Sequence, residues 1–517
     1  MTAAARAGPP RSVLPALAWN LGLPALAGAA TVFGFAPFHA WPVPIATAAV
    51  LFLVWSRCER ARGAAQSGFA FGLGLNLAGV SWVYVSLNQF GHMPAPLAAL
   101  ATFLFCAYLA LFPAAAGWLA HRLGPAGLPR VLVAMPAAFV LLEWVRGWLF
   151  TGFPWLVVGY SQVPFSPLAG FAPVFGVYGV SLVLTAAAGL LAAFAASRTQ
   201  ARRRLALSAG FVVLLAGGAA LRLVAWTAPA GAPVAVALLQ GNVPQHLKWR
   251  DDVRSRTFFD YYRQVMESRA SVVVLPETAL PAFLDQLPPG YLDSLREHAK
   301  SRGKDVLIGT VERSFAGERY SYYNSVVSVG VAGEQSYRKR HLVPFGEFIP
   351  PGFGWVLAVL KIPLTDFARG ETTQPPLLAG GARWAVAICY EDIFGEEVID
   401  ALPAAGILLN VSNDAWFGES LAADQHLQFS QMRALETGRW MVRATNTGVT
   451  AAVDEKGRVV AKLAQFTRGE LAASPVPHAG ATPFVRWGNY PALAIAALAL
   501  LLAARRRTDG ASRKPVK

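Results

Sequence analysis

Long apolar runs dominate the first half of this chain. Seven runs long enough to cross a bilayer precede residue 231, and an eighth follows residue 487. They cover residues 13–33, 41–56, 67–86, 94–120, 130–150, 171–197, 205–226 and 488–504. A run of about 20 apolar residues is typical of a membrane-spanning helix. We therefore predict a polytopic α-helical membrane bundle of about eight spans.

Acidic residues mark where this apolar part ends. Charged residues make up 15% of the chain, against roughly 25% in soluble proteins. Residues 1–231 contain two acids, Glu59 and Glu143, whereas residues 232–486 contain 27 of the 30. We predict a transmembrane bundle over 1–231, a water-soluble domain over 232–478, and a final span with a basic tail over 479–517.

The distribution of cations indicates membrane orientation rather than nucleic-acid binding. The net charge of the chain is +15, yet residues 232–486 carry 26 Lys and Arg against 27 Asp and Glu, a net of −1. The excess cations cluster after alternate apolar runs, which is the pattern of cytoplasmic loops. We predict cytoplasmic termini, an outer location for residues 227–487, an N-terminal run that is retained rather than cleaved, and no nucleic-acid partner.

The acid-rich part alternates apolar strands with helices. Strands are predicted over 234–240, 271–275, 305–310, 322–329, 384–388, 406–411 and 449–453, and helices over 251–269, 291–302 and 425–438. This alternation favours an α/β sandwich with covered sheets. Chemistry in such sheets gathers at strand ends, so the polar residues that follow strands are the first candidates for a site.

Cys389 lies at the end of one predicted strand and opens the polar turn 390–392. The other two cysteines, Cys58 and Cys106, belong to the apolar region. Cys389 therefore has no disulfide partner on the predicted outer side. A thiol at a strand end can act as a nucleophile, although an isolated cysteine on a strand is more often a small core residue.

Two charged motifs precede this cysteine. Glu277 follows the predicted strand 271–275, and Lys339 lies in a basic cluster that leads to Glu347. A carboxylate can carry protons for a thiol, and a cation can stabilise the oxyanion of a tetrahedral intermediate. Together the three residue types predict acyl transfer, while the residues alone leave open which glutamate is the base.

Five motifs in order give the chain a family resemblance. They are Glu143-Trp-Val-Arg146-Gly, Leu275-Pro-Glu277-Thr-Ala-Leu280, Tyr337-Arg-Lys339-Arg-His-Leu-Val-Pro-Phe-Gly-Glu347, Cys389-Tyr-Glu391 and Val411-Ser-Asn413-Asp-Ala-Trp416-Phe417-Gly418. The soluble part resembles the nitrilase (carbon–nitrogen hydrolase) superfamily. With its flanking spans, nearly the whole chain resembles the apolipoprotein N-acyltransferases, the membrane-embedded branch found in the bacterial inner membrane.

The resemblance implies a fold, a reaction and roles. The fold is a nitrilase-like αββα sandwich, and Glu277, Lys339 and Cys389 are the base, the oxyanion-stabilising cation and the nucleophile. The reaction moves an acyl chain from a phospholipid donor, through a cysteine thioester, to the α-amine of a diacylated apolipoprotein acceptor. It needs no cofactor or metal. We expect oxyanion support or positioning from Glu347, Tyr390 and Glu391.

Several residues are candidates for substrate contact. Trp249, Trp355, Trp416 and Phe417 are such candidates, and core packing is an equally good interpretation of the last two. The apolar segment 351–363 predicts either a lid that dips into the outer leaflet or a buried amphipathic helix. Glu143 and Arg146 lie one helical turn apart in a predicted span, where charges tend to pair and serve function, although a structural ion pair is equally compatible.

Two other functional classes compete with acyl transfer. A membrane-anchored amidase of nitrilase type would hydrolyse a small nitrogen compound, but a single span would anchor it. A transporter or receptor could retain an inactive nitrilase-like domain. Transporters usually carry ionisable residues inside their spans, whereas these runs are almost free of them.

Overall fold

The protein consists of a helical region and an α/β region. The structure, a computed structural model, describes residues 18–316, 319–350, 352, 354 and 366–512. The helical region comprises residues 18–221 together with a C-terminal helix, and the α/β region lies between them in the chain.

Helices occupy the positions of all eight predicted spans. Their bounds are α1 Leu23–Thr31, α2 Pro42–Arg57, α3 Ala61–Gly79, α4 Ala95–Leu123, α5 Met135–Arg146, α6 Ala172–Ala196, α7 Ala201–Leu221 and, after the α/β region, α11 Tyr490–Ser512. Proline lies in the first turn of α2, α4 and α6, where its missing N–H costs no helical hydrogen bond.

Fewer of these helices than predicted are long and apolar enough to cross a membrane alone. Among the described residues, the helices Ala95–Leu123, Pro167–Ala196 and Ala201–Leu221 meet that standard. A fourth is added if α3 and the following helical segment Val83–Phe90, which bend by 58°, form one span. The other helices are shorter than the predicted spans because turns interrupt them. Helix α5, for example, ends at Arg146, before a turn with positive φ at Phe150 and Thr151.

Glycines let α1, α3 and α4 pack closely. A Cβ atom built on Gly28 would lie 1.9 Å from the carbonyl oxygen of Phe71, and one on Gly68 would lie 2.3 Å from that of Pro113. Small residues at helix contacts are how membrane helices gain packing energy without a hydrophobic driving force. Alanine at either position would force these helices apart.

The α/β region contains two six-stranded sheets among the described residues. The strands of these two sheets, in chain order, are β1 Val236–Gln240, β2 Val272–Val274, β3 Asp305–Ala316, β4 Arg319–Gly330, β5 Gln335–Arg338, β6 Leu377–Ala379, β7 Ala382–Ile388, β8 Ile407–Ser412, β9 Trp440–Thr445, β10 Ala451–Val453, β11 Val459–Lys462 and β12 Gly469–Ala473. A short antiparallel pair, Ala228–Pro229 with His478–Ala479, lies where the chain enters and leaves the α/β region. The predicted strands are present, while β9, the short strand β5 and the edge strands were not predicted.

Each sheet has a parallel centre and antiparallel edges. The first sheet has the order β12-β1-β2-β3-β4-β5, and the second has β11-β10-β9-β8-β7-β6. The pairs β1–β2–β3 and β7–β8–β9 are parallel. Side chains of the two inner faces form a shared core around Val274, Leu307, Trp384 and Leu409.

Helices cover the outer faces of both sheets. Helices α8 Asp251–Glu267 and α9 Tyr291–Ser301 pack on the first sheet. Helix α10 Ala422–Thr437 packs on the second sheet with one face and on the helical region with the other. The result is an αββα sandwich, as expected, and α10 connects the second sheet to the apolar helices.

Candidate active site

Cys389 directly follows β7, where the chain turns sharply. Its φ is +52°, a conformation that is uncommon for residues other than glycine. Asn410 Nδ2 donates to the Cys389 carbonyl oxygen at 3.0 Å, and His426 Nε2 lies 3.2 Å from the same oxygen. These two contacts hold the carbonyl oxygen of the strained turn, and this fixes the direction of the Cys389 side chain.

Glu277 lies beyond the end of β2 on the facing sheet and is buried. Its Oε1 accepts from Asn324 Nδ2 at 2.7 Å, and its Oε2 accepts from the backbone N–H of Asn413 at 2.8 Å. Each carboxylate oxygen is thus engaged, so the side chain has one orientation. Asn413 follows β8, which means that residues of both sheets determine the position of Glu277.

Lys339 follows β5 and is almost completely buried between two carboxylates. Its Nζ donates to Glu347 Oε1 at 2.8 Å and lies 3.7 Å from Glu277 Oε1. Burial alone would lower the pKa of Lys339, but the charges of Glu347 and Glu277 raise it above the usual lysine value. Lys339 is consequently a fixed positive charge at neutral pH.

The charges of Glu277 and Lys339 both act on the Cys389 thiol. Burial raises its pKa well above the usual value; the Glu277 carboxylate raises it further, and the Lys339 ammonium lowers it. The resting side chain is therefore a thiol rather than a thiolate. Such a thiol needs a base at the moment of attack. Glu277 is a carboxylate whose charge acts on the thiol, and its role as that base stays a prediction.

Asn324 links two parts of the site and was not identified from the sequence. Its Nδ2 donates to Glu277 Oε1 and, at 2.9 Å, to Glu347 Oε1. A buried amide between two carboxylates that share one lysine keeps all three charged groups in register. Its place in a predicted strand gave no signal, because an asparagine in a strand carries no motif of its own.

Glu347 and Glu391 hold different parts of the site. Glu347 contacts Lys339 directly and accepts from the backbone N–H of Val343 through Oε2 at 2.8 Å. Glu391 instead accepts from backbone N–H groups of Ile388 at 2.7 Å and Arg340 at 2.7 Å. Glu391 therefore joins the loop that carries the cysteine to the loop that carries the lysine, and its bonds are not to Lys339 itself.

Both of these loops are attached to one turn of the helical region. The Tyr390 hydroxyl donates to the Gly152 carbonyl oxygen at 3.1 Å, and His341 Nε2 lies 3.0 Å from the Thr151 carbonyl oxygen. The Tyr390 ring stacks on Phe153 and Trp155, with centroids 6.4 Å apart in each case. The Tyr390 side chain thus binds the helical region, while oxyanion support by its backbone N–H stays a prediction.

The predicted substrate-contact residues divide into three groups. Phe417 packs against Trp82 and Trp155, with centroids 4.6 Å and 6.0 Å away, and Trp416 lies 5.9 Å from Phe90. These contacts place both residues where the α/β region meets the helical region. Trp249 is partly exposed. Trp355 and most of segment 351–363 lie outside the described residues, so the lid stays a prediction.

Lys248, next to Trp249, is a buried cation that the sequence analysis did not single out. Only 2% of its surface is exposed. Burial lowers its pKa to about 8, against an opposing effect of the Glu277 charge. The loop that carries it is attached to the site, because Asn413 Nδ2 donates to Gln245 Oε1 at 2.8 Å.

Glu143 and Arg146 form a buried pair in the helical region, as their spacing predicted. Arg146 Nη2 lies 3.9 Å from Glu143 Oε1, which also accepts from the backbone N–H of Val158 at 2.8 Å. The pair lines a small cavity with Phe71, Leu109 and Phe139. The other carboxylate oxygen of Glu143, Oε2, is buried without a hydrogen-bond partner among the described residues, so the structural and the functional interpretation of the pair both stand.

Comparison with known proteins gives matches over most of the chain. The family model of the apolipoprotein N-acyltransferase N-terminal domain matches residues 27–190, and the carbon–nitrogen hydrolase model matches residues 235–477. An apolipoprotein N-acyltransferase of Nitrosomonas europaea is 52% identical over 92% of this chain and 95% of its own. One of Methylococcus capsulatus is 48% identical over 93% and 95%. A solved carbon–nitrogen hydrolase of Helicobacter pylori G27 covers 50% of this chain and 94% of its own, at 18% identity and a TM-score of 0.36.

Proposed function

The chain belongs to the apolipoprotein N-acyltransferase family, and from that premise we propose that it transfers a fatty acyl chain from a phospholipid to the N-terminal amine of a diacylated apolipoprotein. The observation that carries the proposal is the constellation of Cys389, Glu277 and Lys339 beside a wall of apolar helices. The family resemblance read from the motifs is confirmed by these relatives.

The first half-reaction acylates the enzyme. Cys389 Sγ attacks the ester carbonyl carbon of the phospholipid while Glu277 accepts the thiol proton. The oxyanion that forms faces the Lys339 ammonium, and a preorganised donor of this kind is worth about 10²–10³ in rate. The ester C–O bond then breaks, Glu277 returns the proton to the departing alkoxide, and a thioester and a lysophospholipid remain.

The second half-reaction transfers the chain to nitrogen. The α-amine of the acceptor has an unperturbed pKa near 8, so about a tenth of it is in the reactive neutral form at pH 7. It attacks the thioester carbon and Glu277 takes one proton from the nitrogen. The C–S bond then breaks, and Glu277 passes that proton to the departing sulfur, which restores the thiol and the free carboxylate. Because the two substrates react in turn with one cysteine, the kinetics are ping-pong.

The helical region favours transfer over hydrolysis. A waiting thioester survives only if water is excluded, and aromatic side chains of the helical region lie against the cysteine loop at Tyr390. An amidase acting on a small nitrogen compound uses water as its second substrate and has no need of this wall. Among the residues that the structure describes around Cys389, none favours that alternative.

The proposal extends to membrane topology. Eight spans, domains at 1–231, 232–478 and 479–517, cytoplasmic termini and an outer α/β region in the inner membrane are the arrangement that the cation clusters support. In a cysteine-free variant, Ser301→Cys on the α/β surface is expected to react with a membrane-impermeant maleimide in spheroplasts. Arg202→Cys between the sixth and seventh spans is expected to be protected until the membrane is permeabilised, and the reverse pattern would overturn this topology.

The reaction is tested in proteoliposomes with acyl-labelled phospholipid and a synthetic diacylated lipopeptide. Wild type is expected to form an acyl adduct on Cys389, seen by mass spectrometry, and to release labelled N-acyl lipopeptide. Cys389→Ala is expected to do neither. Cys58→Ala, a free cysteine of the helical region, is the matched control and should retain both activities.

Two results would overturn the proposal. Transfer by Cys389→Ala would exclude the thioester, and release of label only as free fatty acid would indicate a hydrolase.

A further inference from the structure

Behind the nucleophile lies a group of four buried charged residues that the reaction above does not use. They are Asp392, Asp414, His426 and Arg443, referred to here as the charge cluster, and each is at most 2% exposed. Arg443 donates to Asp414 Oδ2 at 2.8 Å and to Asp392 Oδ2 at 3.3 Å. His426 lies between the same two carboxylates.

The contacts of His426 determine its protonation. Its Nδ1 lies 2.8 Å from Asp414 Oδ1, and its Nε2 lies 3.0 Å from Asp392 Oδ1 and 3.2 Å from the Cys389 carbonyl oxygen. All three partners are acceptors only, so both ring nitrogens must donate, and only the imidazolium can do so. The cluster then contains two cations and two anions and is neutral.

The surrounding charges agree with this assignment. Burial and the Arg443 guanidinium act to lower the pKa of His426, but Asp392 and Asp414 together raise it to about 9. Burial acts to raise the pKa of Asp414, but the charges of His426 and Arg443 bring it below its usual value. The raised pKa of His426 and the lowered pKa of Asp414 both agree with a histidine that stays charged at neutral pH.

The charge cluster acts on Cys389 in two ways. His426 lies 3.2 Å from the carbonyl oxygen of the strained turn. The negative charge of Asp414 acts to raise the pKa of the Cys389 thiol, as that of Glu277 does, whereas Lys339 acts to lower it. His426 and Arg443 together balance the charge of Asp414.

We propose that His426 is a positioning residue of the active site: as an imidazolium held between Asp392 and Asp414, it fixes the backbone turn of Cys389 and, with Arg443, balances the Asp414 charge that acts on the thiol. The inference rests on the proposed role of Cys389 and adds the group that sets its reactivity. His426 touches neither substrate, so its effect is exerted through Cys389.

The test measures alkylation of Cys389 by iodoacetamide as a function of pH, in full-length protein whose other two cysteines are alanine. His426→Gln leaves the cluster with one excess negative charge, so the apparent pKa of alkylation should rise by about one unit. Asp414→Asn leaves one excess positive charge, and the profile should move to lower pH. Acyl-enzyme formation by His426→Gln should show a lower kcat with little change in KM.

A matched control separates this effect from general destabilisation. Gln428 is on the same helix and equally buried, and it binds Ala36 and Val163 of the helical region rather than the cluster. Gln428→Leu should lower Tm without moving the alkylation profile. Profiles of His426→Gln and Asp414→Asn that coincide with wild type, or that shift in the same direction, would overturn the inference.

Alkylation requires no acyl donor, so the two proposals fail separately. If Cys389→Ala still transferred acyl chains, the proposed function would fall whatever the alkylation profiles showed. If the profiles did not shift while transfer depended on Cys389, only the role of His426 would be wrong.

Discussion

The α/β region and the helical region treat buried charge in opposite ways. In the α/β region, charged side chains form closed networks, such as Glu277–Lys339–Glu347 with Asn324, and the four residues behind Cys389. In the helical region, Glu143 and Arg146 form one loose pair at 3.9 Å. The comparison shows that charged networks fix the side chains of the candidate site in the α/β region, whereas the helical region is held together mainly by neutral packing.

The contacts that hold the cysteine and lysine loops at the junction follow the neutral pattern, whereas the buried pair Arg433–Glu436 on α10 places a charge over the Tyr160 ring. Tyr390 and His341 reach backbone carbonyl oxygens of the helical region, and Tyr160 donates to the Ile393 carbonyl oxygen at 2.9 Å. Backbone carbonyls and aromatic faces hold the cysteine and lysine loops without adding a charge to them. The helical region thus positions these loops and covers them with apolar side chains, while the α/β region provides the charged groups of the candidate site.

The largest effect expected from this division concerns the base. Glu277→Gln keeps the shape of the side chain but removes the proton acceptor, so acyl-enzyme formation should fall by about 10³-fold. The rate is measured by quenching and mass spectrometry of the Cys389 adduct. Glu312→Gln is the control, because it removes a carboxylate of the same region that binds Ser336 and Arg338 instead. If this control also lost more than about tenfold in the rate of acyl-enzyme formation, the effect of Glu277→Gln would not be due to loss of the base.

The next effect compares one arginine from each region. Arg443→Met leaves two buried carboxylates without their shared cation and should cost about 3 kcal/mol of unfolding free energy. Arg146→Met should cost less, about 2 kcal/mol, because Glu143 keeps its hydrogen bond from Val158. Chemical denaturation in detergent measures both. Equal costs would show that the helical region depends on its buried charges as much as the α/β region does.

Prediction from the sequence succeeded where a residue type carried its own signal. Strand ends followed by Glu277 and Cys389, and a lysine in a charged motif, were enough to identify residues that the fold brings together. Asn324 and His426 gave no such signal, because their importance lies in which acceptors surround them. Those acceptors come from strands and helices far apart in the chain, and only the packed sandwich places them within 3 Å or so of one another.

The helical region shows a different limit of sequence prediction. Apolar runs located all eight helices, but hydropathy does not report where a helix breaks. The turn at Phe150–Gly152, with positive φ at each residue, shortens α5, and no local composition rule marks it. The strand β9 was missed for the opposite reason, since Arg443 within it resembles a surface residue until its carboxylate partners are known.

A third prediction sharpens the comparison within the α/β region itself. Because burial lowers the pKa of Lys248 to about 8, this side chain binds a proton in the unfolded chain but not in the folded one between about pH 8 and 10.5, so its contribution to stability rises with pH in that window. The buried Cys389 thiol, whose pKa is raised, acts the other way, so the quantity to measure is the difference in stability between wild type and Lys248→Met. Lys248→Met should be more stable than wild type at pH 7, and this advantage should shrink by about 3 kcal/mol as the pH rises to 10.5. Lys300→Met, an exposed lysine on α9, should show no such pH-dependent difference in denaturation experiments, and a constant difference for Lys248→Met would contradict the prediction.

The smallest expected effect tests the neutral junction. Tyr160→Phe removes the hydrogen bond to Ile393 but keeps the ring against Phe429, with centroids 4.6 Å apart. It should cost about 1 kcal/mol of stability and leave acyl transfer within a few-fold of wild type. Tyr262→Phe, which loses one hydrogen bond to Ser294 within the α/β region, is the control. A loss of transfer far beyond that of the control would mean that the junction participates in the chemistry.

The attachment of both catalytic loops to one turn has a mechanical consequence. Thr151 and Gly152 are neighbours, and they receive His341 from the lysine loop and Tyr390 from the cysteine loop. If a thinner or thicker bilayer tilts the apolar helices, the cysteine loop and the lysine loop move together, because both are attached to this turn. The distance between the Cys389 sulfur and the Lys339 ammonium is then unchanged, whereas the height of both groups above the acyl chains changes.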